Sequence, residues 1–352
     1  MKILIIGCGS IGRRHALNAL KLGAEIVLCD IDEVRMRKLS LEVNASDCYV
    51  DFHEAARTSG CIAAIIATPS NLHTKPAKAV LSAGLHVLME KPICTSTSEA
   101  NDLKDFVVKT GLTFMMGHTY RFRSEWQEVK RFLDSKPLGK IYSAEFVGGW
   151  YLPDWHIHED YKTEYAAQKK FGGGVLLTNL SHLFNIAIWF FGDIQKISGV
   201  KMKLSDLEID VDDSVSCILK MMNGVAVNIK EDFLSRLPRR SVRVNGEYGY
   251  LEVDFNRKIL SVWDSRAKRI HPINEAYDSR TNLFKILEDG VLYDLSPEIS
   301  DFQYSGNDSY LLELKYFMEL IELHQTKFDL DIDSGIKVLD AMCNKGIESW
   351  LT

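Results

Sequence analysis

The sequence predicts an α/β protein whose N-terminal part is a doubly wound parallel sheet and whose C-terminal part is an α+β domain with a mostly antiparallel sheet. Short apolar runs alternate with amphipathic stretches up to Gly117, and a glycine-rich turn follows the first run. Beyond Gly117 the pattern changes to alternating segments with hairpin turns. Strands that are apolar throughout and are joined by helices are typical of a parallel sheet covered on both faces.

Strands and helices alternate in the N-terminal part. The strand candidates are continuously apolar, whereas the helix candidates have one apolar face. The predicted strands are Lys2–Ile6, Glu25–Cys29, Ile62–Ala67, His86–Met89 and Thr113–Met116. The predicted helices are Ile11–Leu22, Glu33–Leu41, Lys75–Ala83 and Ser98–Lys109. We therefore assign residues 1–120 to the first domain and 121–352 to the second.

The second domain combines helices with a series of short strands. The predicted elements are a helix Ser124–Leu133, a strand Ile141–Val147, an irregular aromatic stretch Gly148–Lys170, an apolar helix Val175–Phe191, alternating strands from Ile194 to Val262, and helices Ser309–His324 and Ser334–Trp350. Asn223-Gly224 and Asn245-Gly246 are typical hairpin turns within the strand region. This mixture predicts a sheet that is mostly antiparallel.

Composition narrows the class of protein. The 352 residues are 46% hydrophobic and 26% charged, as in soluble globular proteins. The net charge of −6 argues against a nucleic-acid partner, and no apolar run approaches the ~20 residues of a membrane span. Seven cysteines without CxxC spacing, and no signal peptide at the N-terminus, indicate a reduced, cytoplasmic protein.

A glycine motif predicts a dinucleotide site. Gly7-Cys8-Gly9-Ser10-Ile11-Gly12 follows a strand and opens a helix, where the backbone of such a turn approaches a pyrophosphate. Asp30 lies 18 residues after Gly12, at the end of the next strand. A carboxylate there accepts hydrogen bonds from a ribose 2′-OH and repels a 2′-phosphate, which favours NAD over NADP. The alternative is a turn that merely needs glycine beside a surface aspartate.

Two further loops leave strand ends, where ligands bind in open α/β sheets. Ala67-Thr68-Pro69 carries small and hydroxylated residues suited to a passing cofactor. Met89-Glu90-Lys91-Pro92 holds a lysine in a defined direction, and a lysine beside a nicotinamide would have a lowered pKa and could bind a substrate hydroxyl. The alternative is a surface Glu-Lys pair of little energetic value.

These motifs, together with Tyr120-Arg121-Phe122 and a glycine triplet that precedes a histidine-bearing helix, resemble the Gfo/Idh/MocA family over nearly the whole chain. The resemblance implies a Rossmann domain that carries NAD(P) and a C-terminal domain with a large open sheet that forms a homodimer or homotetramer interface. It implies that Lys91 is the active-site lysine. The residues expected along the cofactor are Gly7, Gly9, Ser10, Ile11, Gly12, Asp30, Ala67, Thr68, Pro69, Asn71, His73, Glu90, Lys91, Pro92, Thr119 and Arg121.

The helix after Gly172-Gly173-Gly174 carries His182, which the resemblance places next to the substrate as a proton-exchanging group. Family members have an aspartate four residues before this histidine, whereas this chain has Thr178, and Asn185 stands where a later aspartate is frequent. Thr178 and His182 share a face of an α-helix, so the hydroxyl is expected to orient the imidazole or the substrate. The missing carboxylate leaves loss of activity open.

The stretch Gly149–Tyr161 is rich in aromatic side chains that suit a sugar ring, or that pack as a cluster between domains. His156-x-His158 also permits a metal site, but its spacing is generic and hydride transfer needs no metal, so none is predicted. The expected substrate contacts are Lys91, Arg121, Trp155, His156, Tyr161, Lys169, Asn179 and His182.

Together these features predict an NAD-dependent oxidoreductase that transfers hydride between nicotinamide and a secondary alcohol of a sugar, a polyol or a nucleotide-linked sugar. Lys91, His182 and Thr178 are the predicted catalytic residues. One alternative is a sugar–sugar oxidoreductase with a tightly held, internally recycled cofactor. Another is a non-catalytic NAD-binding sensor on the same fold, because fold alone does not determine function.

Overall fold

The computed structural model describes residues 1–156, 160–257, 259–264, 269–272, 285–288, 291–294, 308–343 and 346–350. These residues form two compact units. The first unit comprises Met1–Phe122 together with the last two helices of the chain. The second unit begins at Arg123 and includes the last strand.

The first unit is built on a six-stranded parallel sheet. Its strands are β1 Lys2–Ile6, β2 Glu25–Cys29, β3 Asp47–Tyr49, β4 Ala63–Ile66, β5 His86–Glu90 and β6 Phe114–Gly117, and the connecting helices are α1 Ser10–Lys21, α2 Glu33–Val43, α3 Phe52–Thr58, α4 Thr74–Ser82 and α5 Thr97–Thr110. The strand order is β3-β2-β1-β4-β5-β6. The order therefore reverses between β1 and β4, and ligands of doubly wound sheets bind at that reversal, beyond the carboxyl ends of the strands.

The second unit holds a larger, mixed sheet. Its described helices are α6 Ser124–Asp134 and α7 Ser181–Phe191, and its described strands are β7 Ile141–Gly149, β8 Ile194–Met202, β9 Ser214–Met221, β10 Ala226–Asp232, β11 Arg239–Gly246, β12 Gly249–Asp254, β13 Ile259–Asp264, β14 Arg269–Pro272, β15 Lys285–Glu288, β16 Val291–Asp294 and β17 Ile347–Trp350. Nine of them form one sheet in the order β14-β13-β12-β11-β7-β10-β9-β8-β17, and β15 pairs with β16. The β7–β10 and β8–β17 pairs are parallel and the others are antiparallel.

Helices α6 and α7 cover one face of this sheet. Phe146 of β7 lies with its ring centroid 6.1 Å from that of Trp126 of α6 and 6.4 Å from those of Phe190 and Phe191 of α7. Phe146 and Trp126 are fully buried. The predicted fold class, a Rossmann-type parallel sheet followed by a mostly antiparallel sheet, is thus confirmed.

The last helices, α8 Asp308–Glu322 and α9 Ile332–Met342, correct the predicted domain assignment, which placed all of 121–352 in the second domain. Leu314 and Phe317 of α8 belong to the same buried core as Ile3 and Ile5 of β1. The chain returns to the first unit because the apolar face of α8 completes that core. The helix predicted over Ser334–Trp350 is also wrong at its end, because residues 347–350 pair as a strand with β8.

The apolar helix predicted from Val175 has a different start. Leu176–Leu180 forms a π-helical turn, and α7 begins only at Ser181. The whole segment Lys169–Phe191 has the length and composition of a membrane span, contrary to the expectation that no run approaches one. In the structure 67% of the most apolar 18-residue stretch of this segment is buried, as in the core helix of a globular protein.

Candidate active site

The three motif glycines of the first unit differ in what surrounds them. Gly7 has a φ of +97°, and a Cβ there would meet the Ala67 carbonyl oxygen at 2.7 Å. A Cβ on Gly12 would lie 1.7 Å from the Gly7 carbonyl oxygen, so only glycine lets α1 pack this closely. A Cβ on Gly9 would meet no described atom within 4 Å. The loop therefore needs glycine at its two ends and leaves the backbone at Gly9 approachable, which fits a pyrophosphate.

Helix α1 starts at Ser10 with Ile11 in its first turn, and no side chain caps it. The N–H groups of such a first turn have no intrahelical partner and favour an anion. Arg13, in the same turn, is paired with Glu42 of α2 at the surface. The charge expected to balance a bound phosphate thus comes from the helix terminus rather than from this arginine.

Asp30 is tied to the glycine loop. Its Oδ2 accepts a hydrogen bond from the Cys8 backbone N–H at 2.6 Å, and its Oδ1 accepts one from the Asp32 N–H at 2.9 Å. The side chain is half-buried at the end of β2. Each carboxylate oxygen has a second lone pair, so the group can still accept from the hydroxyls of a ribose. The neighbouring residues Ile31 and Asp32 offer no base for a 2′-phosphate.

The loop after β4 holds Ala67, Thr68 and Pro69, followed by the short turn Ser70–Leu72 that contains the exposed Asn71. The Thr68 hydroxyl oxygen is buried and has no hydrogen-bond partner among the described residues. A buried hydroxyl without a partner costs about 1–3 kcal/mol, so it is expected to meet a ligand atom. This unpaired donor is a second feature that fits a dinucleotide.

His73 is hidden from solvent and contacts the backbone of two loops. It is 1% exposed, with Nδ1 at 2.9 Å from the Pro92 carbonyl oxygen and Nε2 at 2.8 Å from the Thr68 carbonyl oxygen. Burial lowers its pKa, against the opposing effect of these carbonyl contacts and of Glu90. His73, expected along the cofactor, therefore joins the loop after β4 to the loop after β5 and is a positioning residue.

Glu90, Lys91 and Pro92 follow one another at the end of β5. The Lys91 side chain is half-buried, and burial lowers its pKa while the charge of Glu90 opposes that shift. Glu90 is 7% exposed, and its Oε1 lies 2.8 Å from Nε2 of His15 on α1. Burial raises the pKa of Glu90, but the hydrogen bond from His15 and the charge of Lys91 lower it overall. The negative charge of Glu90 therefore favours the cationic form of Lys91.

A third buried group joins this pair. Glu313 of α8 is fully buried, and its carboxyl lies within 4.8 Å of the His15 and Glu90 ligand atoms. Burial and the charge of Glu90 raise the pKa of Glu313 well above its usual range. Sequence reasoning missed the cluster, because Glu313 is more than 200 residues away from Glu90.

Two buried basic side chains follow β6, namely His118 and, in the turn Thr119–Phe122, Arg121. Arg121 is 8% exposed, and burial lowers its pKa to about 10. His118 is 1% exposed and has no hydrogen-bond partner among the described residues on either ring nitrogen. Burial, Arg121 and Lys91 lower the pKa of His118 to about 3, so it is neutral. The sequence placed Thr119 and Arg121 here but overlooked His118.

In the second unit, Asp212 organises the turn that leads into α7. Its Oδ2 accepts from the Leu176 N–H at 2.9 Å, and a Cβ on Gly174 would meet its Oδ1 at 2.5 Å. The Thr178 hydroxyl donates to the Gly174 carbonyl oxygen at 2.6 Å. With its proton used there, Thr178 can only accept from another group. The π-turn also changes the helical phase, so the α-helical face that Thr178 and His182 were expected to share is altered.

Asn179 lies in the same π-turn, and its Nδ2 donates to Oε1 of Glu231 at 3.0 Å. Glu231, on β10, is 5% exposed, and burial raises its pKa to about 7. Glu231 was missed because in sequence it is one acidic residue in an alternating strand. Its signal was available, since it occupies a position of β10 that points to the buried face with Val227 and Ile229.

Side chains of the aromatic stretch contact one another and neighbouring protein groups. The Trp155 ring lies edge-on to Phe233 at 5.2 Å, and its Nε1 donates to the Trp150 carbonyl oxygen at 3.3 Å. His156 Nδ1 is 2.9 Å from Oε1 of the buried Glu164. These contacts favour the packing interpretation for Trp155 and His156, while His158 lies outside the described residues.

Tyr161 and Lys169, also expected at the substrate, contact the acidic loop that precedes β9. The Tyr161 hydroxyl accepts from the Glu208 N–H at 3.2 Å, and the Lys169 N–H donates to Asp210 at 2.7 Å. Tyr161 is half-buried and Lys169 is exposed. These bonds order the loop and leave the ammonium of Lys169 at the surface.

Comparison with known proteins agrees with both units. Residues 1–118 match the NAD-binding Rossmann fold of the Gfo/Idh/MocA oxidoreductase family, and residues 126–252 match the C-terminal domain of that family. The chain belongs to the Gfo/Idh/MocA family. Its first unit is accordingly the NAD(P)-binding domain, and the resemblance inferred from the motifs is confirmed.

Curated members of the Gfo/Idh/MocA family match at low identity. Levoglucosan dehydrogenase of Pseudarthrobacter phenanthrenivorans is 24% identical over 47% of this chain and 47% of its own length. Inositol 2-dehydrogenase 2 of Saccharopolyspora erythraea is 26% identical over 71% of this chain and 68% of its own length. The chain thus spans about half the length of the first of these relatives.

Solved structures of the family match along almost the whole chain. An oxidoreductase from Agrobacterium radiobacter in complex with NAD+, L-tartaric acid and magnesium has a TM-score of 0.79 at 17% identity and covers 97% of this chain and 94% of its own. Scyllo-inositol dehydrogenase from Lactobacillus casei with NAD(H) and scyllo-inositol has a TM-score of 0.73 at 17% identity, with the same coverage. At this identity the likeness establishes the fold.

Proposed function

We propose that this protein is an NAD-dependent oxidoreductase that transfers hydride between nicotinamide and a secondary alcohol or ketone of a sugar or polyol, including a nucleotide-linked sugar. The observation that carries the proposal is Lys91, a half-buried lysine of lowered pKa. It follows β5, a strand of the same parallel sheet whose first strand leads into the glycine loop. The names of the relatives, which include sugar and inositol dehydrogenases, support this substrate class.

The cofactor-binding part of the proposal rests on fit. The approachable backbone at Gly9 suits the pyrophosphate, the Asp30 carboxylate suits the ribose 2′-OH, and the unpaired Thr68 hydroxyl suits a further polar atom. Absence of a base after Asp30 favours NAD over NADP. When bound, NAD supplies the hydride acceptor at its nicotinamide ring.

The protein supplies binding and proton transfer. The ammonium of Lys91 donates a hydrogen bond to the reacting oxygen and favours its negative charge as the hydroxyl loses its proton. The imidazole of His182, half-buried on α7, accepts that proton, and returns it in the reverse reduction. The charge of Glu90, whose pKa is lowered overall, opposes the effect of burial on Lys91 and helps the lysine to stay cationic.

The test is Lys91→Met, assayed with NAD and a panel of sugars, sugar acids, inositols and nucleotide sugars. We expect kcat to fall by about 10²-fold or more, since the substitution removes an acid–base group, while the Kd for NAD is retained. Lys109→Met, an exposed lysine in the last turn of α5, is the matched control and keeps full turnover. Near-normal turnover of Lys91→Met would refute the assignment.

A non-catalytic NAD-binding sensor is the second candidate, and one observation favours it. Thr178 stands where the family has an aspartate, and its hydroxyl proton is committed to the Gly174 carbonyl oxygen. A sensor would bind NAD and a polyol but reduce no NAD with any member of the panel. Wild-type turnover with one member excludes this alternative.

We also propose that the protein is cytoplasmic and assembles as a homodimer or homotetramer through its nine-stranded sheet. A large apolar side chain on the face opposite the helices supports this, since Ile218 of β9, between the buried Cys217 and Leu219, is 54% exposed. Light scattering of the purified protein measures the oligomer, and a strict monomer would contradict the proposal.

A further inference from the structure

The inner face of the second unit's sheet changes character at one end. Moving along neighbouring strands β11, β7 and β10, the rows Val244–Ala144–Val227 and Val242–Phe146–Ile229 are apolar. Beyond these rows Arg240 pairs with Gly148, and Glu231 follows Lys230, whose partner on β7 is Val147. The carboxyl of Glu231 and the guanidinium of Arg240 therefore lie on either side of Gly148. They point to the same face as the apolar rows, where an apolar side chain would be expected.

Gly148 makes room for the carboxyl. A Cβ at this position would lie 1.8 Å from Oε2 of Glu231 and 2.6 Å from its Cδ. The carboxyl thus lies over the Gly148 backbone, on the side toward Arg240. Any other residue at position 148 would displace the carboxyl of Glu231 or be displaced by it.

One hydrogen bond orients the Glu231 carboxyl. Oε1 accepts from Asn179 of the π-turn at 3.0 Å, and among the described residues the side chain makes no other. A glutamine would accept from Asn179 equally well, so this bond alone does not call for an ionisable group. Oε2 keeps its lone pairs for an additional donor. His182 lies one turn beyond Asn179, which brings the proposed proton acceptor to the same end of the sheet.

The charges around Glu231 are few. Burial, with a smaller contribution from the charge of the adjacent Asp232, raises the pKa of Glu231 to about 7 against the opposing effects of Arg240 and the Asn179 hydrogen bond. On β9 its neighbour is the uncharged Val215. Near neutral pH the carboxyl is therefore divided between its acid and its carboxylate, and small changes of pH alter its ability to accept hydrogen bonds.

We propose that Glu231 is a substrate-binding residue whose carboxylate accepts a hydrogen bond from a hydroxyl of a neutral polyol, with Asn179 as its positioning residue. The inference rests on the proposed function and deepens it, since it names a specificity-determining contact. Protonation removes the negative charge and turns one of the two acceptor oxygens into a donor, which weakens the contact. Binding of a neutral polyol is then expected to tighten as pH rises.

The experiment measures KM, kcat and the Kd for NAD between pH 6 and pH 8.5 with the best substrate of the panel. In the wild type, KM falls as pH rises through about 7. In Glu231→Gln, KM at pH 8.5 rises by about 10-fold or more, as expected for a lost hydrogen bond to a charged group, and its dependence on pH is flattened. His182 is retained in both proteins, so any titration of His182 is common to both profiles.

Two further variants complete the design. Glu322→Gln, made at an exposed glutamate at the end of α8, is the matched control and keeps the wild-type profile. Glu231→Asp retains an ionisable group and keeps a weakened pH dependence of KM. Thermal melting and the Kd for NAD show that each variant is folded.

Three results overturn the inference. One is a folded Glu231→Gln with the wild-type KM profile, and another is an equal loss in Glu322→Gln. In both cases the Lys91 proposal stands if Lys91→Met has lost turnover. The third is a wild-type protein that neither turns over nor binds any polyol, which overturns the proposed function and this inference together.

Discussion

Asp30→Asn is the most direct test of cofactor selection. The Asp30 carboxylate accepts from the Cys8 N–H at 2.6 Å and from the Asp32 N–H at 2.9 Å. Asparagine retains one oxygen acceptor and places an amide NH2 group against the other N–H. The substitution therefore loosens the end of the glycine loop and removes the charge that a ribose hydroxyl would meet.

The size of the effect follows from these contacts. A hydrogen bond to a charged group contributes about 1.5–3 kcal/mol, and about 1.4 kcal/mol corresponds to a tenfold change in affinity. Losing the charge-assisted bond to the ribose thus raises the Kd for NAD by about 10- to 100-fold. The Kd for NADP is expected to fall or stay constant, because the repulsion of the 2′-phosphate is removed. The ratio of the two constants is the sharper readout.

The assay is fluorescence or calorimetric titration of wild type and variant with both dinucleotides. Glu33→Gln is the control, since Glu33 is an exposed carboxylate of α2 whose partner is Arg37 at the surface. It should leave both Kd values unchanged. An Asp30→Asn protein that keeps the wild-type preference between NAD and NADP would refute the assigned role of Asp30.

Two further predictions concern buried polar groups of the two units. Thr68→Val removes a buried hydroxyl without a partner among the described residues, so the melting temperature without NAD should rise by a few degrees while the Kd for NAD increases; a lower melting temperature would contradict this. Glu128 is 1% exposed, and burial raises its pKa to about 7 against the opposing charge of Arg131. Its contribution to stability is fully present below the pKa of the unfolded chain and is lost as pH rises through about 7. Wild type should therefore lose stability relative to Glu128→Gln between pH 5 and pH 8 in thermal melts, and parallel curves would exclude this.

Local signals predicted the first unit well. The glycine loop, the apolar strands and Asp30 are close in sequence, and each has a geometric reason that depends on a few neighbours, as at Gly7 and Gly12. The short strand β3 and helix α3 were missed, because Asp47–Tyr49 is only three residues long and carries little apolar signal. The helix predicted to end the chain was interrupted because β17 gains a partner in β8.

The candidate site was predicted in part. Lys91 could be placed because it follows a predicted strand, at the end of a parallel sheet where ligands bind, and Arg121 was placed by the resemblance to the family. His118, Glu231 and Glu313 could not, since their importance comes from burial and from partners far along the chain. Thr178 was assigned to an α-helical face, and its pairing with Gly174 in a π-turn depends on Asp212, which the sequence places 34 residues later.

By itself, the sequence determined the fold class, the family and the dinucleotide motif, because these depend on the period of apolar residues and on glycines at fixed spacing. Only the tertiary structure decided in which direction the pKa of each buried carboxyl is shifted. Glu90 and Glu313 are chemically identical, yet the hydrogen bond from His15 and the charge of Lys91 lower the pKa of the first, while burial beside Glu90 raises that of the second. The free energy of a buried charge is set by the groups that surround it in space, and the chain assembles those groups only when it folds.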